Sequence, residues 1–296
     1  MGMQHGVPSI IGVPYEEGAY WRKGMKDGPA DVISQLKKLR TYSISAQRVL
    51  PWEWNDILAE MLELSPYHRE ECLLKIESAV REVVEQGRIP FLLGGDHSIT
   101  LPAVRAVSKA MNGKELSILH FDAHADTFAP VNGYAYHHGA VFRNIIEEGL
   151  VMPEQLHQFG MRGQVRDDSW SFYEEHKGVR CISMKEFREK QCQLSHFDLP
   201  KDRMYYISID IDVVDPAFAP GTGTPVPGGL SSFEMLELVE QLKDYSIVGL
   251  DLVEVAPGYD PTGITGLLAA QIVFDLLMNG KFVSIGKLEN RKEMAN

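Results

Sequence analysis

Leu116-Ser117-Ile118-Leu119-His120-Phe121-Asp122-Ala123-His124-Ala125-Asp126-Thr127 is the stretch that decides how this chain is read. Apolar, strand-favouring residues run as far as Phe121, and three potential metal ligands, Asp122, His124 and Asp126, follow at once. Strand side chains alternate between faces, so Asp122 and His124 share a face while the strand lasts, and a turn after it lets Asp126 curl back. That is half a metal site. Two other stretches have the same form: Phe91-Leu92-Leu93-Gly94-Gly95-Asp96-His97-Ser98 and Tyr206-Ile207-Ser208-Ile209-Asp210-Ile211-Asp212. Each is an apolar strand ending in acid or imidazole.

Working outward, runs of this kind occur at Ser9–Val13, Ile89–Leu93, Leu116–Phe121, Leu156–Phe159, Val179–Ser183, Met204–Ile211, Ile247–Val253 and Phe282–Ile285. Most are separated by segments of helical period. Alternation of strand and helix predicts an α/β fold of three layers, α/β/α, around a mainly parallel eight-stranded sheet. In such sheets ligands collect beyond the carboxyl ends of the strands, which makes the three strand-end clusters one site. Ser65 and Pro66 open a helix through Leu73, Ile76, Val80 and Val84, closed by Gly87. Further helices are expected over Ala30–Leu39, Ser232–Leu242 and Leu267–Met278. Thr41–Asp56 reads as a surface excursion in which Trp52 and Trp54 pack locally. With no repeat, low-complexity tract or linker, residues 1–296 are expected to form one domain. Two loops rich in Gly and Pro, Phe128–Gly139 and Asp215–Gly229, leave acid-bearing strand ends and are expected to wall the site.

The formal charge of −12, with no Lys/Arg run, argues against a nucleic-acid groove and suits a cationic small substrate or divalent ions. Cys72, Cys181 and Cys192 are odd in number and lack C-x-x-C spacing, as expected of a reducing, cytoplasmic setting. Met1–Ser9 shows neither an export signal nor a lipid-anchor motif. Gly266–Met278 is interrupted by Gln271 and Asp275, so a buried helix is expected there and no membrane span. His5, His68, His157, His176 and His196 are assigned to surface or loops.

Asp210 and Asp212 lie on one face of their strand, and two adjacent carboxylates repel unless a cation sits between them. Adding His97, Asp122, His124 and Asp126 gives four carboxylates and two imidazoles. Four negative charges match two divalent ions. Oxygen and nitrogen donors without thiolate suit Mn²⁺ ahead of Ni²⁺, Fe²⁺ or Zn²⁺. Two ions about 3.5–4 Å apart can activate one water for attack on an electrophilic carbon.

Gly94-Gly95-Asp96-His97-Ser98, Asp122-Ala123-His124-Ala125-Asp126 and Ser208-Ile209-Asp210-Ile211-Asp212, with Asp215-Pro216 and Gly223-Thr224-Pro225 following, resemble the three motifs of the ureohydrolases, the arginase and agmatinase family. The resemblance runs from about Gly24 to Pro261. It implies two Mn²⁺ per subunit, with Ni²⁺ as the alternative, and hydrolysis of a guanidino group to urea and an amine. His97, Asp122, Asp126 and Asp210 would hold one ion and Asp122, His124, Asp210 and Asp212 the other. His138, in Tyr136-His137-His138-Gly139, matches the family's proton-shuttling histidine, although His137 beside it could do the same chemistry. Glu254 matches the glutamate that grips the guanidinium, which a carboxylate can pair bidentately. Asp96 and His120 are read as partners that orient His97 or Asp122. Homotrimers or homohexamers are implied as well.

The arginase branch holds the amino-acid end of its substrate at positions occupied here by Phe128 and Tyr134, which disfavours arginine. Thr127–His137 contains no Arg or Lys, which weakens substrates ending in carboxylate. Phe159-Gly160-Met161-Arg162-Gly163 and Glu254-Val255-Ala256-Pro257-Gly258-Tyr259-Asp260 are similar to agmatinases. Phe128, Tyr134 and Tyr136 offer aromatic faces to a cationic tail. Agmatine, giving putrescine and urea, is therefore the expected substrate, with guanidine, guanidinobutyrate or arginine as alternatives. A deacetylase-like metal amidohydrolase would need a single zinc and a tyrosine acid, and a non-catalytic relative would have lost ligands.

Overall fold

Uninterrupted runs of Ile, Leu, Val and Phe belong in strands covered on both faces, and six such runs are buried along almost their whole length. The computed structural model describes residues 6–286. His5 and the start of the Met1–Ser9 stretch lie outside those residues. In chain order the strands are β1 (Pro8–Val13), β2 (Tyr42–Ser43), β3 (Arg48–Val49), β4 (Leu58–Met61), β5 (Ile89–Gly94), β6 (Leu116–Phe121), β7 (Leu156–Met161), β8 (Arg180–Ser183), β9 (Met204–Asp210), β10 (Ser246–Val253) and β11 (Lys281–Phe282). The central sheet runs β4-β1-β5-β10-β9-β6-β7-β8, with every pairing parallel. β11 pairs with the first residues of β10, while β5 pairs with Leu250–Leu252 of the same strand.

Alternation divides the core in two. Phe91, Leu93, Ile207, Ile209, Leu250 and Leu252 face the helices Gly28–Leu36, Ser232–Gln241 and Ile264–Asn279. Leu92, Tyr206 and Val248 point the other way, onto Arg69–Glu85, Thr100–Ala110 and Val141–Glu147. This is the three-layer arrangement expected. No helix among the described residues is long and apolar enough to cross a membrane.

Five details differ from the sequence reading. β4 was not anticipated, because Leu-Ala-Glu-Met favours helix and the strand forms only as an edge partner of β1. The expected strand Phe282–Ile285 reduces to Lys281–Phe282. The helix after Ser65 begins at Arg69, with His68 at its cap position and no side-chain cap. Thr41–Asp56 contains the β2–β3 hairpin, and Trp52 packs edge-on against Phe282 at 6.0 Å, so this segment leans on the main core. His157, assigned to the surface, is buried on β7, and burial together with Arg180 and Arg203 brings its imidazole down to about 4.

The sheet order decides where the chemistry gathers. β5, β10, β9 and β6 are consecutive and central, and their ends stand level: Leu252 pairs with Leu93, Val253 with Asp210, and Phe121 with Ile209. Their carboxyl ends lead to His97, Glu254, Asp210 with Asp212, and Asp122 through Asp126, in that order.

Candidate metal centre

Asp122 leaves β6 with its oxygens turned to two different imidazoles. Its Oδ2 is 3.1 Å from His97 Nδ1, and its Oδ1 is 3.4 Å from His124 Nδ1. Asp126 Oδ2 and Asp210 Oδ2 also approach His97 Nδ1, at 3.1 and 3.3 Å, and Asp212 Oδ2 lies 3.0 Å from His124 Nδ1. All six residues singled out from the sequence therefore meet in one cluster, five of them buried and His124 partly so. Asp126 reaches it from a left-handed backbone (φ 50°), which Asp tolerates better than most residues.

The hydrogen bonds tell which atoms are free. The Ser208 hydroxyl donates its single proton to Asp251 Oδ1 at 2.7 Å, while Asp251 Oδ2 accepts from Tyr206 and Thr100. Ser208 Oγ can then only accept from His97 Nε2, 2.9 Å away, so that nitrogen carries the proton. His97 Nδ1 is left with a lone pair, buried, without a hydrogen-bond partner, and facing three carboxylate oxygens. Such an arrangement needs positive charge at its centre. Burial and the neighbouring Asp212 and Asp122 push Asp210 well above the usual carboxylate range, and burial and Asp122 lift Asp212 to about 6. Burial would depress His97, yet Asp122, Asp126 and Asp210 more than reverse it, so without a cation a proton takes up the Nδ1 lone pair. The donor set fits divalent cations.

His120 is placed within ligand range of His97 and Asp122. Both its nitrogens are already engaged, Nε2 with Asp122 Oδ2 at 2.8 Å and Nδ1 with Gln158 at 2.9 Å. Asp96 is also no part of the cluster. It accepts from the backbones of Gly18, Ala19 and Ser98 and so ties the 14–24 loop to the turn bearing His97. A Cβ at Gly95 would collide with the Tyr15 carbonyl in the same junction. The Asp215–Gly229 loop is pinned beside the cluster: Asp215 accepts from the amides of Ala217, Gly228 and Gly229, and Thr224 donates to Asp212 Oδ2 at 3.1 Å.

Glu254 sits beyond β10 in a left-handed conformation (φ 65°), its amide donating to the Gly95 carbonyl. Its Oε1 accepts from the His97 amide at 2.9 Å and lies 3.0 Å from His138 Nδ1; its Oε2 is buried and has no partner. His138 Nε2 is likewise buried and free. His137 instead points Nε2 at the Ala129 carbonyl, 3.3 Å away. Phe128 and the Tyr20 hydroxyl converge on Gly139, where a Cβ would lie 2.9 and 3.0 Å from them, and Tyr20 packs edge-on to His138 at 4.7 Å. Tyr134 is not brought to this group: its ring lies under Arg69 at 4.9 Å and beside Tyr136. Sequence reading missed Tyr20, Ser208 as an orienting group, and Arg166, whose guanidinium lies 5.3 Å over the Phe128 ring.

Burial pushes His138 down, but Glu254, then Asp96 and Asp126, push harder and hold it up at about 9, above its ordinary 6.5. A raised pKa stabilises the fold fully below the ordinary value and ceases to do so as pH rises through the folded one. In the ion-free protein, His138→Gln should therefore lower the urea midpoint most near pH ~6 and least above pH ~9. A midpoint difference that widens with pH would count against the His138–Glu254 pair.

A parallel α/β sheet whose adjacent strand ends gather Asp and His donors, beside a free carboxylate oxygen, is the arrangement of a metal-dependent enzyme. Its lineage is clear: residues 8–279 match the profile described as the Arginase family, and the chain belongs to that family. It is 37% identical over 273 residues to the proclavaminate amidinohydrolase of Streptomyces clavuligerus, covering 90% of this chain and 86% of that protein. The solved structure of that enzyme superposes with a TM-score of 0.82 at 35% identity, over 94% of this chain and 93% of the other. Guanidinopropionase of Pseudomonas aeruginosa is 37% identical over 280 residues (90% and 85% covered), and an Escherichia coli agmatinase 35% over 274 (90% and 85%). The protein is an arginase-family ureohydrolase of agmatinase-like type.

Proposed function

We propose that the chain, as one domain, hydrolyses agmatine to putrescine and urea with two Mn²⁺ ions, Ni²⁺ being the alternative. His97, Asp122, Asp126 and Asp210 would hold one ion and Asp122, His124, Asp210 and Asp212 the other. The observation carrying this reading is the His97 Nδ1 lone pair, fixed by Ser208 and Asp251, amid three carboxylates. When bound, the ions supply the charge that makes water a competent nucleophile near neutral pH.

The protein groups supply the rest. Glu254 Oε2, buried and unpartnered, accepts from the guanidinium and fixes its plane. Water adds to the guanidino carbon, the bond to the alkylated nitrogen breaks, and His138 Nε2 gives that nitrogen a proton, which the proton released by the water replaces. Phe128 and Tyr20 flank the alkyl chain at the mouth. Three free cysteines support a cytoplasmic setting. A groove bordered by the exposed Tyr42, Ile44 and Phe233 supports a homotrimer or homohexamer.

Arg166 favours a second reading. The agmatine expectation leaned on the absence of a cation from Thr127–His137, yet Arg166 arrives beside Phe128 from beyond β7, paired to Asp168 at 3.0 Å with other N–H groups to spare. A guanidino acid could place its carboxylate there, and relatives carry the names guanidinopropionase and guanidinobutyrase. Urea release from agmatine, 4-guanidinobutyrate and guanidine by the Mn²⁺-loaded protein tests both readings. Agmatine is expected to give the highest kcat/KM and to be little changed in Arg166→Gln. If the acid leads, and this variant lowers it alone by about 10-fold or more, a carboxylate tail is the true substrate feature. No urea from any of them would refute the proposal.

A further inference from the structure

We propose that Tyr173, Gln158 and His120 act as a relay that sets which nitrogen of His120 carries its proton and thereby locks the orientation of Asp122. The idea rests on the reading of Asp122 as a ligand shared by both ions.

The relay follows from donor and acceptor counting. Gln158 Nε2 lies 2.7 Å from the Ala125 carbonyl, which can only accept, so this atom is the amide nitrogen. The same nitrogen is 2.9 Å from His120 Nδ1. An amide nitrogen only donates, so Nδ1 accepts. The proton of His120 is therefore on Nε2 and is donated to Asp122 Oδ2 at 2.8 Å. Tyr173 completes the chain by donating to Gln158 Oε1 at 2.5 Å. Flipping the amide would set two oxygens against each other at Ala125.

His120, Gln158 and Asp122 are fully buried, and the His120 ring is clamped on Phe142 with centroids 3.9 Å apart. No solvent competes for these bonds. Asp122 Oδ1 is held separately, by the His124 amide at 2.5 Å. Each oxygen thus has one fixed donor, which leaves Oδ2 directed at His97 and Oδ1 at His124. Tyr173, on the helix Asp167–Glu175, is none of the candidate ligands yet acts on Asp122, which with Asp210 is assigned to both ions.

Nitrogen-15 NMR of histidine-labelled, ion-free protein reads the tautomer directly. His120 is expected with Nδ1 unprotonated in the wild type and with that state lost in Gln158→Glu, whose carboxylate cannot donate. Mn²⁺ titration of the apoprotein gives the second readout. Affinity should fall roughly 10–100-fold in Gln158→Glu and His120→Leu, less in Tyr173→Phe, and return towards wild type in His120→Gln, which restores a donor near the Nε2 position. Nδ1 protonated in the wild type, or wild-type Mn²⁺ affinity in His120→Leu, would overturn the relay. Since neither readout needs turnover, failure to release urea would strike the proposed function and leave the relay standing.

Discussion

Asp122→Asn is expected to lose metal binding and turnover together. The substitution keeps the shape of the side chain and removes its charge at the one carboxylate whose two oxygens face two imidazoles, His97 and His124. It also gives the buried His120 Nε2–H a weaker acceptor. Loss of about 4 kcal/mol of transition-state stabilisation corresponds to roughly a 10³-fold drop in urea release. Metal analysis of the purified variant should find both ions depleted. Full metal content with wild-type activity would show that the cluster has been wrongly read.

His138→Asn is the complementary case, with ions retained and the rate lost. His138 Nδ1 is committed to Glu254, which leaves Nε2 as the group able to protonate the departing nitrogen. Positioned proton transfer contributes about 10²–10⁴-fold, and kcat should fall by that order while Mn²⁺ content stays that of the wild type. His137→Asn should change kcat little, because that ring is turned to the Ala129 carbonyl. An unaffected rate in His138→Asn would move the shuttle to His137.

These outcomes separate what could be read in the sequence from what could not. Strand ends carrying Asp122, His97 and Asp210 announce themselves locally, because apolar runs mark the strands and period-two spacing sets the faces. The parallel topology then places them side by side without further information. Ser208, Asp251, Gln158 and Tyr173 send no such signal. Each is an ordinary polar residue whose meaning depends on a partner far along the chain, such as Gln158 on His120 or Ser208 on Asp251. Arg166 was missed for a related reason: the search for a tail-binding cation followed one loop, whereas the mouth is built from several. β4 escaped because an edge strand is specified by its neighbour more than by its own residues.

The backbone at Glu254 has a consequence for anyone selecting sturdier forms of this enzyme. A glutamate held at φ 65° carries a conformational penalty of order 1–3 kcal/mol, and glycine would carry almost none. Glycine would also strand the buried His97 amide and His138 Nδ1 that Glu254 Oε1 now satisfies, a loss of the same order. Position 254 is therefore a poor place to look for added heat resistance: what relaxing the main chain returns, the abandoned partners take back.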